Sequence, residues 1–173
     1  MVSCRPRSLS DQASWPVAKL SFGWIASLTM PAPVPRARPM YLRQPEIAQL
    51  VVKSIRKGEQ LGHYGLYAFV VMANHVHVLI HPHVDPSPLL KSLKGSTARE
   101  ANKLLGRTGE PFWQKESYDH WARDQTEVGR IRAYIENNPV NAGLVNVPEQ
   151  YPWSSASVEK SLDAARTSAC ATP

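Results

Sequence analysis

Cysteine is nearly absent from this 173-residue chain: only Cys4 and Cys170 occur. Neither sits in a C-x-x-C or Cys/His spacing, which excludes a zinc ribbon and a disulfide framework and fits a reducing cytoplasm. No apolar run approaches the roughly 18 residues that a membrane-spanning helix needs, so no membrane partner is expected. Arg5 and Arg7 are followed by Ser, Asp and Gln rather than an apolar stretch, so no signal peptide is expected. No Gly-x-x-x-x-Gly-Lys phosphate loop exists, which removes the usual machinery of nucleotide hydrolysis. Acidic residues are the scarcer sign, 14 against 20 Lys and Arg, for a net charge of +6. That balance points to a polyanionic partner, nucleic acid ahead of an anionic membrane.

What remains is enough for one ordinary domain with a real core. Residues 1–38 are broken by Pro6, Pro16, Pro31, Pro33 and Pro35 and read as irregular. One stretch there has strand character: Leu20, Phe22, Trp24, Ala26 and Leu28 alternate with Ser21, Gly23, Ile25 and Ser27. Residues 39–158 carry the periodic elements of a folded domain, and 159–173 read as a flexible tail. Pro45-Glu46 opens a helix to about Lys57, closed by Gly58 and Gly62. A strand from Tyr64 to Met72, a tight turn at Ala73-Asn74 and a strand to His81 make a hairpin. Ser87 as N-cap and Pro88 at the first helical position begin an amphipathic helix that ends at Gly106. Phe112-Trp113-Gln114 and Tyr118 to Arg123 read as extended. A capping box at Asp124–Glu127 starts a last helix, which Pro139 stops at about Asn137. The order strand, helix, strand, strand, helix, strand, helix gives an α+β, ferredoxin-like antiparallel sheet. Its helices are expected on one face, leaving the other partly open for chemistry.

The chemistry begins at His75-Val76-His77. Residues two apart on a strand share a face, so both imidazoles project side by side. Two imidazoles in fixed geometry are half of a divalent-metal site, or equally a surface pair on an amphipathic strand. Val70, Met72, Val76, Val78 and Ile80 are assigned the opposite parity and the core. His81 and His83 continue the histidine parity and read as a solvated strand end. On the last helix Tyr134 and Asn138 are four apart and share a face. Two imidazoles and one amide oxygen can hold Mg²⁺ or Mn²⁺, which would offset charge on a phosphodiester. A tyrosine hydroxyl beside it can attack phosphorus and form a covalent phosphotyrosine. The bland alternative makes Tyr134 a half-buried aromatic and Asn138 a helix-terminus residue, and Tyr118 is a rival nucleophile.

Here the residues match a family. Met72-Ala73-Asn74-His75-Val76-His77-Val78-Leu79-Ile80, Pro111-Phe112-Trp113-Gln114 and Tyr134-Ile135-Glu136-Asn137-Asn138-Pro139-Val140-Asn141-Ala142-Gly143-Leu144-Val145 resemble the single-tyrosine HUH transposases. The similarity is to the REP-associated tyrosine transposase branch and runs from about Pro39 to Ala156. The resemblance implies that His75, His77 and Asn138 are metal ligands and Tyr134 the nucleophile. It implies an enzyme that nicks single-stranded DNA beside a hairpin, keeps the 5′ phosphate on tyrosine and rejoins it, as monomer or homodimer. The basic helix face of Lys91, Lys94, Arg99 and Lys103, with Arg123, then becomes a phosphate track. Trp113, Trp121 and Tyr118 either stack on unpaired bases or pack the core. Two other classes fit less of the chain: a non-catalytic hairpin or single-strand binder derived from a transposase, and a histidine-rich metal-binding protein unrelated to DNA. The chain departs from the family at two places. Its first strand lies in a proline-rich segment that matches poorly, and Ala73 stands where proline is common before Asn-His.

Overall fold

The computed structural model describes residues 17–23, 39–115 and 117–157, the side chains of Tyr118 and Asp119 excepted. Strands β1 (Ala18–Gly23), β2 (Tyr64–Val71), β3 (His75–Pro82) and β4 (Tyr118–Trp121) form one antiparallel sheet in the order β2-β3-β1-β4. The strand expected in the amino-terminal segment therefore exists and is central, paired with β3 on one side and β4 on the other. Its expected continuation, Trp24 to Leu28, lies outside the described residues, as do Cys4, Cys170 and the 159–173 tail.

Helices α1 (Pro45–Gln60) and α2 (Pro86–Leu104) pack on one face of the sheet, and α3 (Gln125–Asn141) crosses the other. So α1 and α2 are the helices expected on one face, and the face left for chemistry carries a helix of its own. Alternation decides which residue goes where. Leu20, Phe22, Val76, Val78 and Ile80 join Ile47, Val51 and Ile55 of α1 in the larger core. Leu79, Val70 and Met72 join Val128 and Ile135 of α3 in the smaller one. Val70 and Met72 thus share the histidine face, contrary to the parity assigned from the sequence. The two-residue turn explains this: Val70 lies opposite His77, and opposed residues on paired strands share a face.

Three element boundaries also differ from expectation. Gly58 lies inside α1, and only Gly62, with φ 72°, ends that helix. The N-cap of α2 is Asp85, whose carboxylate accepts from the Ser87 N–H, with Pro86 at the first helical position. Helix α3 runs through Pro139 to Asn141. A proline forfeits one amide bond, while the remaining end groups are closed by Gly143 at φ 67°. The Gly143 N–H donates to the Val140 carbonyl and the Leu144 N–H to the Pro139 carbonyl, a Schellman closure.

Two devices bind the edges. The Lys94 ammonium donates to the Gln114 and Lys115 carbonyls and to Ser117 Oγ, tying α2 to the segment before β4. Beyond α3, the Val71 N–H donates to the Trp153 carbonyl and Ser155 Oγ accepts from the Phe69 N–H, so residues near 153–155 cover the outer edge of β2. Among the described residues no helix is long and apolar enough to cross a membrane.

Candidate active site

Strand β3 carries His75 and His77 with ring centroids 4.8 Å apart, both directed at the face crossed by α3. Each ring is held through its Nδ1. His75 Nδ1 lies 2.8 Å from Asn74 Oδ1, and His77 Nδ1 lies 2.7 Å from Ser21 Oγ on β1, its cross-strand partner. An amide oxygen can only accept, so His75 carries its proton on Nδ1 and presents a bare Nε2. The Ser21 hydroxyl can accept from His77 Nδ1 or donate to it, so it fixes that ring's orientation with either tautomer. An outer partner that fixes tautomer and orientation is the usual support of a metal-binding histidine.

The electrostatics keep both rings neutral. Burial, then the neighbouring His75 and Lys19, push His77 down to about 3. Burial, then Lys19, lower His75 as well. Neutral imidazoles are the form in which histidine binds metals.

Helix α3 supplies the rest. Val128, Ile131 and Ile135 anchor it on the sheet. That anchoring sets Tyr134 beside the histidines, its ring centroid 5.7 Å from that of His77. Tyr134 remains 49% exposed, so its hydroxyl end is reachable by a large substrate. Asn138 follows one turn later, partly buried, and its amide has no hydrogen-bond partner among the described residues. Among those residues no cluster of at least three His, Cys, Asp or Glu side chains forms. A divalent cation here would need neutral donors beyond the two imidazoles, and the Asn138 oxygen is of the right kind. The two imidazoles and the Asn138 amide oxygen are donors of a kind that a divalent cation accepts.

A family model described as "Transposase IS200 like" matches residues 33–138. The chain belongs to the IS200-like transposase family. It is a transposase by that membership, and the match spans both histidines, Tyr134 and Asn138. Among solved structures it is similar to a REP-associated tyrosine transposase bound to a REP hairpin, with TM-score 0.54 and 17% identity over 90% of this chain and 82% of that one. It is also similar to a putative transposase from Deinococcus radiodurans, with TM-score 0.47 and 20% identity over 79% of this chain and 97% of that one. The first likeness supports the antiparallel α+β fold. No curated protein matches the chain.

The remaining candidates are dispersed. Lys91, Lys94, Arg99 and Lys103 sit on α2, over the sheet face opposite Tyr134. Lys94 is committed to the loop it ties down, and Lys103 pairs with Glu100 at 3.0 Å. Arg123 stands exposed at the entrance to α3, its backbone N–H held by Glu127. Trp113 is structural: its ring meets Phe22 edge-on and its indole N–H donates to Thr97 Oγ1 at 2.9 Å. Trp121 is 43% exposed and remains available for stacking. The Tyr118 side chain lies outside the described part, though its backbone pairs with Ser21. His81 and His83 meet edge-on at the far end of β3, where His83 Nδ1 bonds the Gly62 carbonyl.

Sequence reasoning missed Ser21, Asn74 and Lys19 as site residues. Asn74 reads as a turn residue; Ser21 reads only as part of a strand alternation, and Lys19 is not singled out. Only the pairing of β1 with β3 shows that they face the histidines.

Proposed function

We propose that this transposase nicks and rejoins single-stranded DNA beside hairpins, with Tyr134 as nucleophile. The observation that carries the reading is the Tyr134 ring set against His77, on a strand whose two imidazoles are each held through Nδ1. Tyr134 Oη attacks the phosphorus and forms an O–P bond as the P–O3′ bond breaks. The phenolic proton leaves to solvent, and the departing 3′ oxygen gains a proton to become a 3′ hydroxyl. The 5′ end stays on Tyr134 as a phosphodiester until a 3′ hydroxyl attacks it and restores the phenol. The broken bond's energy is kept, which agrees with the lack of a nucleotide-binding phosphate loop. A divalent cation held by His75, His77 and Asn138 would supply charge neutralisation at the phosphate. Helix α3 supplies positioning, since a phenol fixed on a packed helix enters the attack with little freedom left to lose. Such a reaction belongs with the DNA in the cytoplasm.

Covalent capture tests this. Labelled hairpin DNA with single-stranded flanks, taken from beside the protein's own gene, is mixed with protein and Mg²⁺ or Mn²⁺ and run on denaturing gels. The expected band is lost with Tyr134→Phe and kept with Tyr118→Phe, while Tyr134→Phe still binds the hairpin within several-fold. Binding without any band from the folded wild type would instead identify a non-catalytic hairpin-binding protein.

A further inference from the structure

We propose that Lys19 is a phosphate-binding residue of the active site, contacting a non-bridging oxygen of the phosphate attacked by Tyr134, with Arg130 on an adjacent phosphate. The assignment deepens the reading of Tyr134 as nucleophile and rests on it for which phosphate is held.

Lys19 lies on β1 opposite Leu79, so its side chain rises on the face shared by the histidines and α3. Its Nζ stands 4.6 Å from the centre of the Tyr134 ring. Among the described residues it has no carboxylate and no hydrogen-bond acceptor; the aromatic face is its contact. A partly buried ammonium is costly without a counter-charge, and a ring face compensates only in part. Lys19 is therefore a partly buried cation with no counter-anion in contact among the described residues.

The surroundings specify the anion. Lys19, Arg130, Ile131, Tyr134 and Glu127 line one open cavity of about 250 Å³. Its acid, Glu127, is engaged: one oxygen lies 3.0 Å from His120 Nε2, and the other accepts the Arg123 N–H. Two cations over an apolar floor, beside a half-exposed phenol, suit a sugar–phosphate chain passing Tyr134. Lys19 also precedes the matched residues 33–138, so the family match assigns it nothing.

The test has two readouts. In a Tyr134→Phe background, which cannot form an adduct, affinity for the same hairpin DNA is measured across a salt series with and without Lys19→Met. The methionine keeps the apolar stem, and Lys19→Gln repeats the measurement should it disturb folding. Loss of charge is expected to weaken binding several-fold and reduce the slope of log affinity on log salt by about 0.7, with Lys19→Arg restoring both. With Tyr134 intact, Lys19→Met is expected to slow covalent capture at least tenfold, on the order of one lost anion-stabilising donor. A neutral methylphosphonate at the cleaved link should erase that difference. An unchanged slope and capture rate would overturn the proposal, and so would a difference that survives on the methylphosphonate. A reduced slope with no capture even by wild type would leave Lys19 as a phosphate contact and reject Tyr134 as the nucleophile.

Discussion

At the scale of single residues, this site is shaped by what holds the imidazoles rather than by the imidazoles alone. Ser21 is 2% exposed and His77 is 6% exposed, so neither group can exchange its partner for water. Ser21→Ala would leave His77 Nδ1 buried and unpaired, a cost of about 1–3 kcal/mol. It would also free the ring to rotate or change tautomer. Loss of such an outer partner typically lowers metal affinity 10–100-fold. Calorimetric titration with Mn²⁺ should show that loss for Ser21→Ala, and a smaller one for Asn74→Ala, whose histidine is less buried. Unchanged Mn²⁺ affinity in Ser21→Ala would mean that the hydroxyl orients nothing. Tyr134 makes the complementary point. Its ring is packed while its hydroxyl has no partner among the described residues, so Tyr134→Phe should leave thermal stability within about 0.5 kcal/mol. A large loss would recast Tyr134 as a structural residue.

At the scale of elements, α1 shows packing overruling propensity. Gly58 lies within the helix, where alanine would ordinarily be favoured by about 0.8–1 kcal/mol. A Cβ there would lie 2.7 Å from ring atoms of Tyr64. That tyrosine is buried and fixed, its hydroxyl donating to the Ile55 carbonyl, and burial raises it to about 12. The ring cannot swing away without breaking this bond, so Gly58→Ala should destabilise by about 1–3 kcal/mol, as overpacking does. Thermal melting should fall by several degrees; a rise would show that the ring yields. This contact also explains why Gly58 read as a helix end: the demand for glycine came from a strand six residues away, not from the local backbone. The same logic separates what was legible from what was not. The hairpin, the histidine parity and the Tyr134–Asn138 face are local patterns, and each followed from strand or helix period. Lys19 and Ser21 became site residues only through pairing with a strand more than fifty residues away. The end of α3 was misread because Pro139 is a strong stop signal by itself. Its one lost amide bond is outweighed when Gly143 closes the turn after it.

At the scale of the whole molecule, the sheet is covered on both faces, and the site occupies the seam where β1, β3 and α3 meet. Placing imidazoles in that seam links folding to pH. An unfolded histidine titrates near 6.5, whereas folded His77 resists protonation down to about 3, chiefly through burial. Above 6.5 both states are neutral and the full stability is present. As pH falls below 6.5 the unfolded chain takes up a proton that the folded chain refuses, so stability is lost progressively toward pH 3. One such group costs up to about 1.4 kcal/mol per pH unit, hence about 2 kcal/mol between pH 7 and pH 5. His75 is shifted the same way and adds to the loss. The net charge of +6 also grows in acid, and its self-repulsion weakens any variant similarly. Comparison of wild type with His77→Gln therefore isolates the histidine. Urea unfolding in the presence of a chelator, at pH 7 and pH 5, should show the wild type losing about 2 kcal/mol more than His77→Gln. Equal losses would mean that His77 is solvated or already protonated in the folded state, and that the seam is more open to water than its packing indicates.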